Sequence, residues 1–251
     1  IGAKPILVDV EKNRPIIDCK NLEKAITKNT KIIFPIYMNG RSADIKKLKN
    51  ICKRKKIYLV EDAAQAVGIK VNNKFLGTEG DIGIFSTSAT KLLTTGLGGF
   101  LVTNNKKLAK KIYEMRRHGF SNIQNIREWD KFGGNFQISS VQSAMGIEQL
   151  KTLKKKLKIN KRNYIYLANK LENFKDFITP INIDFKKGEV PVYNEFRVLK
   201  RAKLVKYLNK NKIENRLVSP SFERVKYIDF KKGNKKFPNS LDYEKNNLYL
   251  T

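Results

Sequence analysis

The 251-residue chain is long enough for one large domain, or a large domain with a smaller one attached. With 41% hydrophobic residues it can bury a sizeable core, which excludes a globally disordered polypeptide. The formal charge of +29 invites a nucleic-acid partner, but lysine far outnumbers arginine and is scattered through most segments instead of forming one stripe.

A positive field of this kind suits the recruitment of small anionic substrates such as phosphates or nucleotide sugars, and no nucleic-acid partner is expected. Cys19 and Cys52 lack metal-site spacing, and His118 is the lone histidine, so two free thiols in a reducing compartment and no metal site are the expectation. No apolar run reaches bilayer-spanning length, so the reading is a soluble cytoplasmic protein with no membrane partner.

In chain order, residues 5–10 (PILVDV) form a short β-rich run, and residues 22–26 lie in a helical-looking stretch. Residues 31–37 (KIIFPIY) read as a buried strand. Over residues 43–56 the apolar positions Ile45, Leu48, Ile51 and Cys52 keep a helical period with lysines on the outer face. Residues 57–60 (IYLV) are again a strand, followed at once by Glu61 and Asp62. Residues 82–86 and 99–103 give two further strands, and residues 106–117 a basic helix. Strands alternating with helices predict an α/β layer architecture with a mainly parallel sheet.

The second half changes character. Residues 139–157 read as a long helix through Val141, Ala144, Met145, Ile147 and Leu150, and residues 160–171 continue in helical style. Beyond Phe174 come short strands, lysines and turns punctuated by Pro180, Pro191, Pro220 and Pro238; the KKGNKK run reads as low-complexity surface. A domain change is therefore expected between about residues 150 and 175.

Two places carry candidate chemistry. Asp62 ends a strand and precedes small residues, the position from which ligands are held in open α/β sheets, although an isolated aspartate there also suits a helix cap or turn. After a strand ending at Ser86, the hydroxyl-rich STSAT run leads to Lys91, then Leu92-Leu93 and the glycines of TTGLGG. Hydroxyls and backbone N–H groups in such a loop suit a dianionic phosphate. A lysine beside apolar residues can have its ammonium form disfavoured, which frees an amine to attack an aldehyde. Each signal alone is weak.

Together the ordered blocks GAKPILVDV (2–10), EDAAQA (61–66), GDIGIFS (80–86), TK with TTGLGG (90–99), RRHGFS (116–121) and the GGN…QL pattern (133–150) resemble the DegT/DnrJ/EryC1/StrS family of sugar aminotransferases. The resemblance covers about residues 2–175 and thins thereafter. It implies a PLP fold type I large domain, a three-layer α/β/α arrangement over residues 1–155, with a smaller C-terminal α+β domain over residues 156–251. It further implies pyridoxal 5′-phosphate held by Lys91 as a Schiff base, Asp62 on the pyridine nitrogen, Gln65 on the ring hydroxyl and Ser86 on the phosphate. Asn135 would reach the phosphate of a neighbouring subunit, hence a homodimer.

The implied activity is a ping-pong transfer of an amino group from an amino acid, glutamate on this reading, to a nucleotide-linked keto-deoxysugar. Lysine at position 91 favours a transaminase, because relatives that act as dehydratases carry histidine there. Leu97 stands where many members have glutamate, and Gln137 where many have arginine or lysine. Members carry a further stretch before the GAKPILVDV block and a closing helix after the end reached here, so the chain reads as a piece lacking both ends. A non-catalytic relative that keeps the dimer fold is the alternative.

Overall fold

The computed structural model describes residues 2–121, 131–226 and 237–250, and the KKGNKK run lies outside them. The first half is built around a four-stranded sheet of β3 (Ile32–Ile33), β4 (Tyr58–Asp62), β7 (Ile82–Ser86) and β8 (Gly99–Val102), in that order. β3 and β7 flank β4 in parallel, and β8 joins β7 antiparallel, so the sheet is parallel except at one edge. Two short antiparallel pairs accompany it, β1 (Val10–Glu11) with β2 (Arg14–Ile17), and β5 (Lys70–Val71) with β6 (Lys74–Phe75).

α1 (Cys19–Ala25) and α2 (Ile45–Lys55) cover one face of the sheet. Asp44 caps α2 by accepting the Lys47 N–H at 3.0 Å, and Lys56 ends it in the left-handed conformation. The predicted stripe holds: Leu48, Ile51 and Cys52 are buried against Ile33, Leu59 and Phe85, with Ile45 at the margin. α3 (Lys106–Arg116) follows β8, capped by Asn105.

Two strand expectations need correction. Residues 5–9 enter no ladder, and pairing begins only at Val10. The KIIFPIY run is a two-residue strand followed by one isolated bridge between Ile36 and Asp62, because Pro35 has no N–H to give a ladder. Nor is it wholly buried, since Ile32 and Phe34 are exposed.

The two expected helical stretches in the second half are one helix, α4 (Ser140–Lys170), opened by a reciprocal capping box between Ser139 and Gln142. A second four-stranded sheet follows, ordered β11 (Asn215–Leu217), β12 (Asn247–Leu250), β10 (Asn194–Val198), β9 (Ile178–Pro180), with every pair antiparallel. α5 (Arg201–Lys210) and α6 (Pro238–Asn246) lie between its strands in sequence. Its own cluster of Ile178, Phe196, Val198, Leu208 and Leu248 packs on Leu167 and Leu171 at the end of α4.

Candidate active site

Side chains alternate across a strand, so neighbouring parallel strands sort their residues onto common faces. On β4 and β7 the residues Leu59, Glu61 and Phe85 point into the core. Asp62 pairs in register with Ile84, and Ser86 lies two residues further on, so Asp62 and Ser86 occupy the opposite face at the carboxyl ends of adjacent parallel strands. Gln65 and Lys91 follow those ends by three and five residues. That is where an open α/β sheet places a ligand.

Asp62 is half-buried. Its backbone is fixed between the Pro35 carbonyl, which accepts its N–H at 2.9 Å, and the Tyr37 N–H, which donates to its carbonyl at 2.9 Å. Oδ1 accepts the Ala64 N–H at 2.9 Å, the local turn bond expected of an aspartate at a strand end. Glu61, next to it, has a different task. It is fully buried, Oε1 accepts the N–H groups of Glu79 (2.7 Å) and Gly80 (2.5 Å), and Oε2 accepts the Tyr37 hydroxyl (2.5 Å) and the Gly77 N–H (3.2 Å). This carboxylate ties the turn before β7 to β4. Burial, with the Glu61 carboxylate second, pushes the Tyr37 hydroxyl well above its ordinary value, so it stays a donor.

The loop after β7 is closed on itself. Thr87 N–H donates to the Gly98 carbonyl at 2.9 Å, Thr95 N–H donates to the Thr87 carbonyl at 2.9 Å, and their hydroxyls meet at 2.8 Å, both side chains buried. Ser86 Oγ accepts the Ser88 N–H at 3.3 Å. Lys91, half-buried, donates its N–H to the Ser88 carbonyl at 3.0 Å. Its side chain therefore leaves from a turn held by the Thr87–Thr95 pair. From the second half of the chain, Tyr193 Oη donates to the Thr90 carbonyl at 3.2 Å, one residue before Lys91.

Gln65 Oε1 accepts the Asn39 N–H at 2.8 Å. Asn39 is fully buried, in the left-handed conformation at φ 52°, and nothing in the sequence marked it. Arg41 and Glu195, also unmarked, form a fully buried ion pair at 2.6 Å beside it. Their only local signal is a glutamate inside the apolar run PVYNEFRV. Asn135 stands apart from the other four: it is exposed and bridges to Arg117. A hollow of about 460 Å³ lined by Lys49, Cys52, Lys56, Tyr58 and Asp81 opens at the start of β4, so the candidate residues at its far end are not in it.

The residues present fit a phosphorylated pyridine aldehyde: a carboxylate and an amide at one strand end, hydroxyls and a lysine at the next. The profile of the DegT/DnrJ/EryC1/StrS aminotransferase family matches residues 1–251. An uncharacterised protein of Methanocaldococcus jannaschii is 31% identical over 256 residues, 95% of this chain and 66% of that protein. GDP-perosamine synthase of Caulobacter vibrioides is 33% identical over 179 residues, 71% of this chain and 48% of the synthase. The chain thus spans only part of the curated relatives it matches. Among solved structures, the Escherichia coli GDP-4-keto-6-deoxy-D-mannose-3-dehydratase with bound hydrated PLP superposes with a TM-score of 0.85 at 26% identity, covering 97% of this chain and 68% of that one.

Proposed function

Because the chain belongs to the DegT/DnrJ/EryC1/StrS aminotransferase family, we propose that it carries the cofactor site of a pyridoxal-phosphate-dependent transaminase acting on a nucleotide-linked keto-deoxysugar. The amino donor on this reading is an amino acid, glutamate first, used in a ping-pong cycle in the cytoplasm. The observation that carries the proposal is the placement of Asp62 and Ser86 on one face of adjacent parallel strands, with Gln65 and Lys91 just beyond their ends.

Lys91 would hold the cofactor covalently, Asp62 its ring nitrogen, Gln65 its ring hydroxyl and Ser86 its phosphate. When bound, the cofactor supplies an electron sink for the amino donor's α-carbon. Asp62 would keep the ring nitrogen protonated, its carboxylate oriented by the Ala64 N–H that donates to Oδ1. Lys91 Nζ, as a free amine, would take the proton from the donor's α-carbon and deliver it to the cofactor's C4′, acting as base and then acid. The lysine at this position, in place of the histidine that dehydratase relatives carry, supports transamination. The +29 charge supports an anionic nucleotide sugar as acceptor.

Two further readings belong to the proposal. Residues 1–155 carry the cofactor residues and 156–251 form the smaller C-terminal part. The exposed apolar residues Leu97, Phe132, Phe136, Val141, Ile147 and Leu150 support burial against a second copy, with Asn135 among them serving the partner's phosphate.

Incubation with pyridoxal phosphate, borohydride reduction and peptide mapping tests the site. A single pyridoxyl label on Lys91, absent in K91A, is expected. Label scattered over surface lysines, or none, would refute it.

A further inference from the structure

We propose that Asn39 is a positioning residue that fixes the orientation of the Gln65 amide, so that its NH₂ group faces the cofactor's ring oxygen; the inference rests on the role proposed above for Gln65. Every hydrogen-bonding valence of the Asn39 side chain is used. Oδ1 accepts the N–H groups of Val192 (2.8 Å) and Tyr193 (2.7 Å), while Nδ2 donates to the Tyr193 carbonyl and to Glu195 Oε2, both at 3.1 Å. An amide so saturated has nothing left to offer a ligand. Its effect passes through its backbone, whose N–H donates to Gln65 Oε1 at 2.8 Å.

That bond decides which way Gln65 points. A backbone N–H can be met only by the amide oxygen, so Oε1 is committed to Asn39 and Nε2 is turned the other way. A donor is what an anionic ring oxygen requires, and a flipped amide would present an acceptor to it. The N–H is in place because Asn39 holds φ 52°, a conformation asparagine tolerates better than most residues. Gly40 presses against the same segment: a Cβ there would lie 1.9 Å from the Val190 carbonyl oxygen. Residues 190–195 therefore set Gln65 through Asn39 and touch the Lys91 loop through Tyr193.

The test uses the chain loaded with pyridoxal phosphate and reads the pH midpoint at which the absorbance of the Lys91-linked cofactor changes. A donor to the ring oxygen stabilises its anionic form, so loss of that donor raises the midpoint. Q65A should raise it by about one pH unit, the scale of one hydrogen bond to a charged oxygen. N39G keeps the left-handed backbone accessible but removes the four side-chain bonds. It should move the midpoint in the same direction, and the double variant should go no further than Q65A.

A merely structural Asn39 would lower the melting temperature and leave the midpoint in place; that result beside a shifted Q65A overturns the inference while sparing the role of Gln65. An unshifted Q65A overturns both. Absence of any lysine-linked absorbance in the unsubstituted chain instead sinks the transaminase proposal. If N39G does not fold, hydrogen exchange at the Asn39 amide gives the answer. Cofactor loading should slow it in the unsubstituted chain and not in Q65A, and equal rates with and without cofactor overturn the inference.

Discussion

The Arg41–Glu195 pair joins residues 154 positions apart, and both side chains are fully buried. Glu195 Oε2 accepts from Arg41 Nη1 at 2.6 Å and from Asn39 Nδ2 at 3.1 Å, while Oε1 accepts from Tyr243 Oη. Replacing Glu195 with leucine leaves the buried guanidinium with neutral partners alone, the carbonyls of Asn182 (2.9 Å) and Ile181 (3.2 Å) and the Tyr164 hydroxyl. Neither carbonyl carries a compensating charge. Removing one partner of a buried pair costs about 3–5 kcal/mol, a large share of a total stability of about 5–15 kcal/mol. At about 2–4 °C per kcal/mol for a chain of this size, E195L should melt roughly 6–20 °C lower. The double variant R41M/E195L removes both charges and should recover most of the loss. Thermal and urea unfolding followed by circular dichroism measure both. If E195L stayed within about 1 kcal/mol of the parent, or the double variant were no better than E195L, the account of this pair as a buried, mutually dependent charge pair would be wrong.

Three other outcomes follow from particular positions. G40A combines φ 72° with a Cβ that would meet the Val190 carbonyl oxygen at 1.9 Å, so the left-handed penalty and the overpacking add to about 2–5 kcal/mol; G96A, at φ 79° with nothing within 4 Å, should cost only the left-handed penalty of about 1–2 kcal/mol, and equal melting temperatures would contradict the packing argument. Burial pushes the Cys19 and Cys52 thiols up to about 11, so a disulfide reagent at neutral pH should react slowly with the native chain but promptly with both thiols once urea unfolds it, whereas rapid native reaction would contradict their burial. The Arg197 guanidinium, bound to Asp242 at 2.5 and 2.8 Å, holds that carboxyl below its ordinary range. The pair's stabilisation is therefore fully present above the unfolded carboxyl value of about 3.9 and lost as pH falls through the lower folded value. As both groups are partly exposed, R197M should cost at most about 1 kcal/mol at neutral pH, and a gap that persists under strong acid would refute the linkage.

The parts of the fold legible in the sequence are those decided by nearby residues. β7 runs from Ile82 to Ser86 as read, because its pattern is short and bounded by turns, and α2 buries the stripe its spacing implies. The continuity of α4 was not legible: Lys154, Lys155, Lys156 and Lys158 blur the apolar period, while Leu153 and Tyr164 keep the buried side across the interruption. In KIIFPIY the apolar run outweighed the proline that limits pairing. At the site, Asp62, Gln65, Ser86 and Lys91 stand in blocks whose order carried the resemblance. Asn39, Arg41 and Tyr193 did not, since each acquires its role from a partner more than a hundred positions away. Asn39 is one of many asparagines in a lysine- and asparagine-rich chain, and only its dihedral and its four satisfied bonds distinguish it.

The division drawn from the sequence at residues 155/156 can be tested by cutting there. The cut falls inside α4, which runs unbroken from Ser140 to Lys170. It would also strip the first part of every partner that residues 181–195 supply. Arg41 would lose Glu195 and two carbonyls, Asn39 would lose all four side-chain bonds, and the Ser42 N–H and Oγ would lose Glu189 Oε1, each at 2.9 Å. Arg41, Asn39 and Ser42 are buried in the intact chain, so each becomes exposed or unsatisfied when its partners leave. The Thr90 carbonyl would lose Tyr193 as well, next to Lys91. A fragment of residues 1–155 holds all five candidate cofactor residues and should still fail as a cofactor-binding unit, with no cooperative melt and no single Lys91 label after reduction. If that fragment instead melted cooperatively near the temperature of the 251-residue chain and took one label on Lys91, the polar bridge from residues 39–42 to residues 181–195 would be dispensable, and the first part would be an autonomous domain.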